Sequence, residues 1–268
     1  MSKKRILYVS QEITPYLPEN DLSKTARFLP QAMNDAKMEV RLFMPRFGCI
    51  NERRHQLHEV IRLSGMNLIV NDIDQPLIIK VASVPQARMQ VYFIDNEEYF
   101  KRKFTTVDGK DKFYKDNDER ALFFCRGVVE AVKKLGWAPD IIHCNGWMAS
   151  FLPLYLKKFY HDDQIFENSK IVFSFYDQTF EGNLSAELAE KMKFDGFEDS
   201  EVTGFDKADY IKLCETAINN SHAVIKGSAD LGKEITKMID GSGLPILEYA
   251  DGDYKVRYKE FYESLLEE

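Results

Sequence analysis

Long apolar runs are missing from this 268-residue chain. A membrane-spanning helix needs roughly twenty consecutive apolar residues, and no stretch approaches that. The N-terminus, MSKKRILYVS, sets basic residues ahead of apolar ones, as a secretory leader does. Its apolar run is only ILYV before Ser10, Gln11 and Glu12, too short for a leader core. Cysteine is scarce: Cys49, Cys125, Cys144 and Cys214 are far apart and form no C-x-x-C pair. That excludes a zinc knuckle or a disulfide scaffold and fits reduced thiols. Positive charge is in deficit, with a net charge of -7, which argues against a nucleic-acid or anionic-membrane partner. Internal repeats and low-complexity linkers are absent too. What remains is a globular chain, expected in the cytoplasm, with no metal or cofactor indicated.

What is present is an alternation of strand and helix signals. RILYVS and MEVRLFMP are apolar, β-rich runs. Between them, Leu22, Ala26, Leu29 and Met33 recur at helical spacing, with Asp21 as the expected N-cap and Pro30 as an expected kink or early stop. Residues 56–95 hold three strand-like runs without a long helix and read as an antiparallel excursion. A long helix follows, with Leu122, Cys125, Val129 and Val132 on one face and Gly136 ending it. The βα rhythm then returns through PDIIHC, KIVFSFYD and HAVIKG. The tail DYKVRYKEFYESLLEE reads as an amphipathic helix that covers its own sheet or docks on a partner. The expected fold class is α/β, a single Rossmann-like domain with a mainly parallel sheet. Its ligands belong at the carboxyl ends of the strands.

PDIIHCNGWMA, from residue 139, gathers a histidine, an amide and an indole where a strand should end. His143 there is a candidate sugar contact or a histidine bonded within the fold. Trp147 is a stacking platform or a packing residue. Asn117 and Arg120 open the long helix, either to bind an acceptor hydroxyl or to cap the helix and pair with Asp116 or Asp118. Glu12 follows the first strand, and Tyr176 and Asp177 follow a later one.

Five stretches, in this order, resemble the acceptor-side half of bacterial glycogen synthases and plant starch synthases, which transfer glucose from ADP-glucose to an α-1,4-glucan. YVSQEITPY is similar to the family's S-x-E-x-x-P through Ser10, Glu12 and Pro15. VRLFMPRFG carries Val40, Pro45, Phe47 and Gly48, and FYKDNDERALFF carries Tyr114, Asp116, Asn117 and Arg120. PDIIHCNGW resembles P-D-I-I-H-x-H-D-W-H, and FSFYDQTFEG resembles T-I-H-N-x-x-Y-Q-G. The resemblance implies the N-terminal domain of a GT-B glycosyltransferase over residues 1–248, with 249–268 as a helical tail; the family's second, donor-binding domain is not expected, because too few residues remain for it.

The departures bear on chemistry. Where the family's K-T-G-G-L loop meets the donor diphosphate, this chain has Pro18, Glu19, Asn20, Asp21 and Leu22. Two acids repel the anion that a lysine and two glycines would cradle. Asn145, Gly146 and Met148 replace polar, titratable residues of the H-D-W-H segment, and Tyr176 and Asp177 replace its later His-Asn pair. No catalytic residue is therefore assigned. A sugar cleft of Glu12, Asn117, Arg120, His143, Trp147, Tyr176 and Asp177 is expected, with an α-glucan or maltooligosaccharide as ligand. Three readings stay open: a glucosyltransferase, alone or with a separate donor-binding chain; a silent sugar-binding relative; and a regulatory subunit acting with a partner chain.

Overall fold

The computed structural model describes residues 3–267. In chain order its elements begin β1 (Arg5–Ser10), α1 (Asp21–Asp35), β2 (Glu39–Pro45), α2 (Glu52–His55), β3 (His58–Glu59), β4 (Met66–Val70), β5 (Ile73–Ser83), β6 (Gln90–Asp95), α3 (Glu97–Phe100) and α4 (Asn117–Leu135). They continue with β7 (Ile141–Asn145), α5 (Phe151–Phe159), β8 (Lys170–Phe175), α6 (Leu188–Phe194), α7 (Tyr210–Asn219), β9 (Ala223–Lys226), α8 (Lys233–Asp240), β10 (Ile246–Leu247) and α9 (Tyr254–Glu267). The sheet order is β10-β9-β8-β7-β1-β2-β6-β5-β3, with β4 on β5. From β10 to β6 every neighbour is parallel. The central strands β1, β7 and β8 are buried on both faces, as helices on either side of a parallel sheet require. Helix α1 packs with α9, while α5 packs against both α4 and α7.

Three expectations are corrected. The run at 90–95 is not only part of the antiparallel excursion: β6 is antiparallel to β5 but parallel to β2, with Leu42 opposite Val91 and Met44 opposite Phe93. Only β5 runs backwards, with β3, β4 and β6 all antiparallel to it, and apolar periodicity carries no information about strand direction. Helix α1 starts one residue earlier than expected, because Asn20 rather than Asp21 is the N-cap. The Asn20 side chain accepts from Ser23 N at 2.7 Å, and Ser23 Oγ accepts from Asn20 N at 2.9 Å. Pro30 neither ends nor shortens the helix, which runs unbroken to Asp35. An interior proline costs about 3 kcal/mol. Leu22, Ala26, Leu29 and Met33 are all buried on the core side, and each large apolar side chain returns about 1.5–3 kcal/mol. Packing wins.

A candidate sugar site at the strand ends

The loop after β1 is tied to the turn after β7. Gln11 N donates to Asn145 O at 3.0 Å, and Gln11 Oε1 accepts from Met148 N at 3.2 Å. That closeness explains Gly146. Its φ of 86° and ψ of 155° suit only glycine, and an added Cβ would stand 2.7 Å from the Cβ of Gln11. Met148 is fully buried, with its carbonyl accepting from Cys125 Sγ. Trp147 is 6% exposed and sits against the rings of Phe113 and Phe180, which stack on each other with centroids 4.7 Å apart. The turn after β7 is filled by apolar packing, and no titratable side chain projects from it.

The start of α1 carries the electrostatics. Asn20, besides capping the helix, donates from Nδ2 to Glu12 Oε2 at 2.5 Å. Glu19 and Asp21 flank it, both exposed. Three carboxylates therefore crowd one helix N-terminus, where the partial positive charge of the helix favours them. Ser228 Oγ donates to Asp21 Oδ2 at 3.3 Å and accepts from Asp177 N at 3.1 Å, tying the ends of β8 and β9 to the same turn.

His143 lies deeper. It is fully buried in mid-strand, its Nδ1 2.6 Å from Tyr262 Oη and its Nε2 2.6 Å from Ser174 Oγ. A neutral imidazole donates at one nitrogen and accepts at the other, so both are satisfied. Tyr258 and Tyr262 of α9 lie over it, with Tyr8 beside it. Tyr176, also buried, donates from its hydroxyl to Asn145 Oδ1 at 3.1 Å, and Asn145 Nδ2 donates to Ser10 Oγ at 3.2 Å. Gly227 lets the Tyr176 ring in, because a Cβ there would meet it at 2.5 Å. Burial raises the phenols of Tyr8, Tyr176, Tyr258 and Tyr262 far above their ordinary range and lowers His143 to about 3. The network is uncharged at neutral pH.

That depressed histidine has a pH signature. Between pH 6.5 and pH 3 the unfolded chain binds a proton at His143 that the folded chain refuses, so stability falls with acid. The loss from this group between pH 7 and pH 4.5 is roughly 2–3 kcal/mol, about 1.4 kcal/mol per pH unit below 6.5. Urea unfolding of the wild type and of His143→Gln at both pH values should show the variant losing less by that amount. Equal acid sensitivity would contradict a buried neutral imidazole.

Asn117 and Arg120 form a separate cluster. Asn117 Nδ2 donates to Thr106 O at 2.7 Å, and Arg120 donates from Nε to Tyr99 O at 2.7 Å and from Nη1 to Asn117 Oδ1 at 2.5 Å. The guanidinium is buried among the rings of Phe47, Phe100 and Tyr114, 5.2–5.6 Å from their centroids. Burial lowers its pKa to about 10, so it stays charged, and the ring faces supply part of its compensation. Neither expected acid partner is used: Asp116 pairs with Arg102, and buried Asp118 pairs with Lys191 at 2.7 Å.

Of the seven candidates, the structure links His143 and Tyr176 under α9, sets Glu12 beside the cap of α1, and leaves Asp177 exposed at the strand ends. Trp147 is covered by Phe113 and Phe180. His143, Asn117 and Arg120 present no surface to solvent. Each is bonded inside the fold, His143 at both ring nitrogens and Asn117 to Thr106 and Arg120, while Arg120 Nη2 alone is left without a hydrogen-bond partner. Motif resemblance does not single out the cluster's other members: Ser174, Asn145 as a hydrogen-bonding hub, and Tyr258 and Tyr262. A tyrosine stripe at 254, 258 and 262, spaced four apart on one helix face, was the available signal.

The sequence profile of the starch synthase catalytic domain matches residues 5–247. The chain belongs to the starch synthase catalytic-domain family. Among curated relatives of this family, a glycogen synthase of Chlorobium luteolum is 36% identical over 246 residues, covering 90% of this chain and 49% of its own. One of Chlorobium limicola is 39% identical over 191 residues, covering 70% of this chain and 39% of its own. The chain thus spans about half the length of the first of these relatives, and less of the second. The catalytic domain of starch synthase IV from Arabidopsis thaliana, solved with ADP and acarbose, superposes with a TM-score of 0.74 at 17% identity, over 94% of this chain and 52% of that one. The starch synthase fold, an α/β domain with a mostly parallel sheet, is therefore the fold of this chain. Among the described residues no helix is long and apolar enough to cross a membrane, and no group of three His, Cys, Asp or Glu side chains is placed to hold a metal.

Proposed function

We propose that this chain is a glycogen- or starch-synthase-like protein of α-glucan metabolism that holds an α-glucan without transferring glucose to it. One observation carries the reading. The helix N-terminus that would face a nucleotide diphosphate is capped by its own Asn20 and ringed by Glu12, Glu19 and Asp21. A diphosphate brought there would meet three carboxylates against a single lysine, Lys24, which already stands 4.0 Å from Asp21, and its charge would go largely uncompensated. The starch synthase IV relative was solved with both ADP and acarbose. Only the first of these demands positive charge; an uncharged α-glucan does not. Met148 and Gly146, in place of the polar groups of the family's H-D-W-H segment, leave the turn after β7 nothing to stabilise charge at an anomeric carbon. In this reading the chain serves glucan synthesis as an acceptor-side or regulatory unit, with donor chemistry supplied by another chain.

Calorimetric titration with ADP-glucose tests the donor half of this reading, and co-sedimentation with glycogen tests the acceptor half. The expected result is no saturable heat with ADP-glucose up to millimolar concentration, together with recovery of the protein in the glycogen pellet. Saturable ADP-glucose binding would overturn it.

A further inference from the structure

A pocket of about 300 Å³ opens between α1, the end of β9 and the segment that leads into α9. Phe28, Tyr249 and Tyr254 supply its aromatic surface, while Asp21, Thr25 and Asp251 supply oxygens. Phe28 is 42% exposed and Tyr249 40% exposed, so both rings reach solvent, with Arg27 and Lys255 over the Phe28 ring at 5.2 and 5.9 Å from its centroid. Residues 249–254, which build one wall, lie outside the family match at 5–247.

We infer that this pocket is the glucan seat, taking the end of a neutral α-glucan with its sugar faces on Phe28 and Tyr249. The inference rests on the glucan-holding reading above. Charge decides the ligand class. Of the two lysines lining the pocket, Lys226 is committed to Asp240 at 2.6 Å and Glu248 at 3.0 Å, and Lys24 stands beside Asp21 at 4.0 Å. A third cation, Lys255, lies over the rings of Phe28 and Tyr254. With Asp21 and Asp251 in the lining and Asp240 and Glu248 behind Lys226, no excess of positive charge is left for a phosphate. Carboxylates and a threonine hydroxyl accept hydrogen bonds from sugar hydroxyls, and half-exposed rings offer the flat apolar faces that the C–H side of a pyranose covers. A volume of about 300 Å³ sits at the lower limit for ligand pockets, enough to take the end of a chain rather than its length.

The probe is maltoheptaose, titrated into the full chain and into Phe28→Ala/Tyr249→Ala and Asp251→Asn, with ADP as the anionic control. Because these side chains are exposed, the variants should keep the wild-type circular dichroism. The double variant should bind maltoheptaose at least tenfold more weakly and Asp251→Asn severalfold more weakly, with ADP inert throughout. Unchanged affinity in both variants would overturn this seat while leaving the glucan-holding reading intact. Absence of maltoheptaose binding by the wild type would overturn both. Competition of ADP with maltoheptaose would overturn the assignment of ligand class.

Discussion

A chain shortened to residues 1–248 should lose its cooperative unfolding transition or melt at least 10 °C lower than the full chain. Helix α9 buries Tyr258, Tyr262 and Leu265 against the domain, each at most 5% exposed. Burial of a large apolar side chain is worth about 1.5–3 kcal/mol, so the three together contribute on the order of 5–9 kcal/mol. Whole domains are stable by only about 5–15 kcal/mol. At about 2–4 °C per kcal/mol for a chain of this size, the drop is large even at the low end. Tyr8, His143 and Tyr176 would also lose their cover, giving water access to a network built to exclude it. Thermal unfolding followed by circular dichroism, with dye binding to report exposed apolar surface, gives the answer. A melting temperature within a few degrees of the full chain would mean that α9 is an accessory rather than part of the core.

The same helix shows where sequence reasoning stops. An amphipathic tail covering its own sheet was legible, because Tyr258, Tyr262 and Leu265 share one face. What it covers was not, since His143 and Tyr262 are 119 residues apart and a hydrogen bond across that span leaves no local pattern. The β1–α1–β2 unit and the long helix α4, ended by Gly136 in a left-handed conformation, follow from apolar spacing and a terminal glycine. The N-cap is ambiguous by one residue in the sequence because Asn20 and Asp21 are both good caps, and only the bonds to Ser23 decide between them. The direction of β6 was invisible for a related reason: parallel and antiparallel strands bury the same side chains. The candidate residues themselves were found through motif resemblance, which preserves position and says nothing of exposure. Arg120 in the sequence is an arginine at a helix start. In the fold it is a buried cation among three rings.

Glucose transfer is where the largest effect is expected. Losing one preorganised electrostatic contact to a reacting group lowers a rate by about 10²–10³. On the motif resemblance, Glu19 and Asp21 stand where the family's diphosphate loop has lysine and glycines, and Asn145, Gly146 and Met148 where its H-D-W-H segment has polar groups. Losses within one site do not simply multiply, but they act in the same direction. A rate at least ~10⁴ below that of a full glycogen synthase is the expected outcome. The decisive measurement is incorporation of labelled glucose from ADP-glucose into glycogen by the purified full chain, beside a Chlorobium glycogen synthase as positive control. The account predicts incorporation indistinguishable from the no-protein blank. Steady incorporation that scales with protein concentration and disappears in His143→Gln or Glu12→Gln would contradict it.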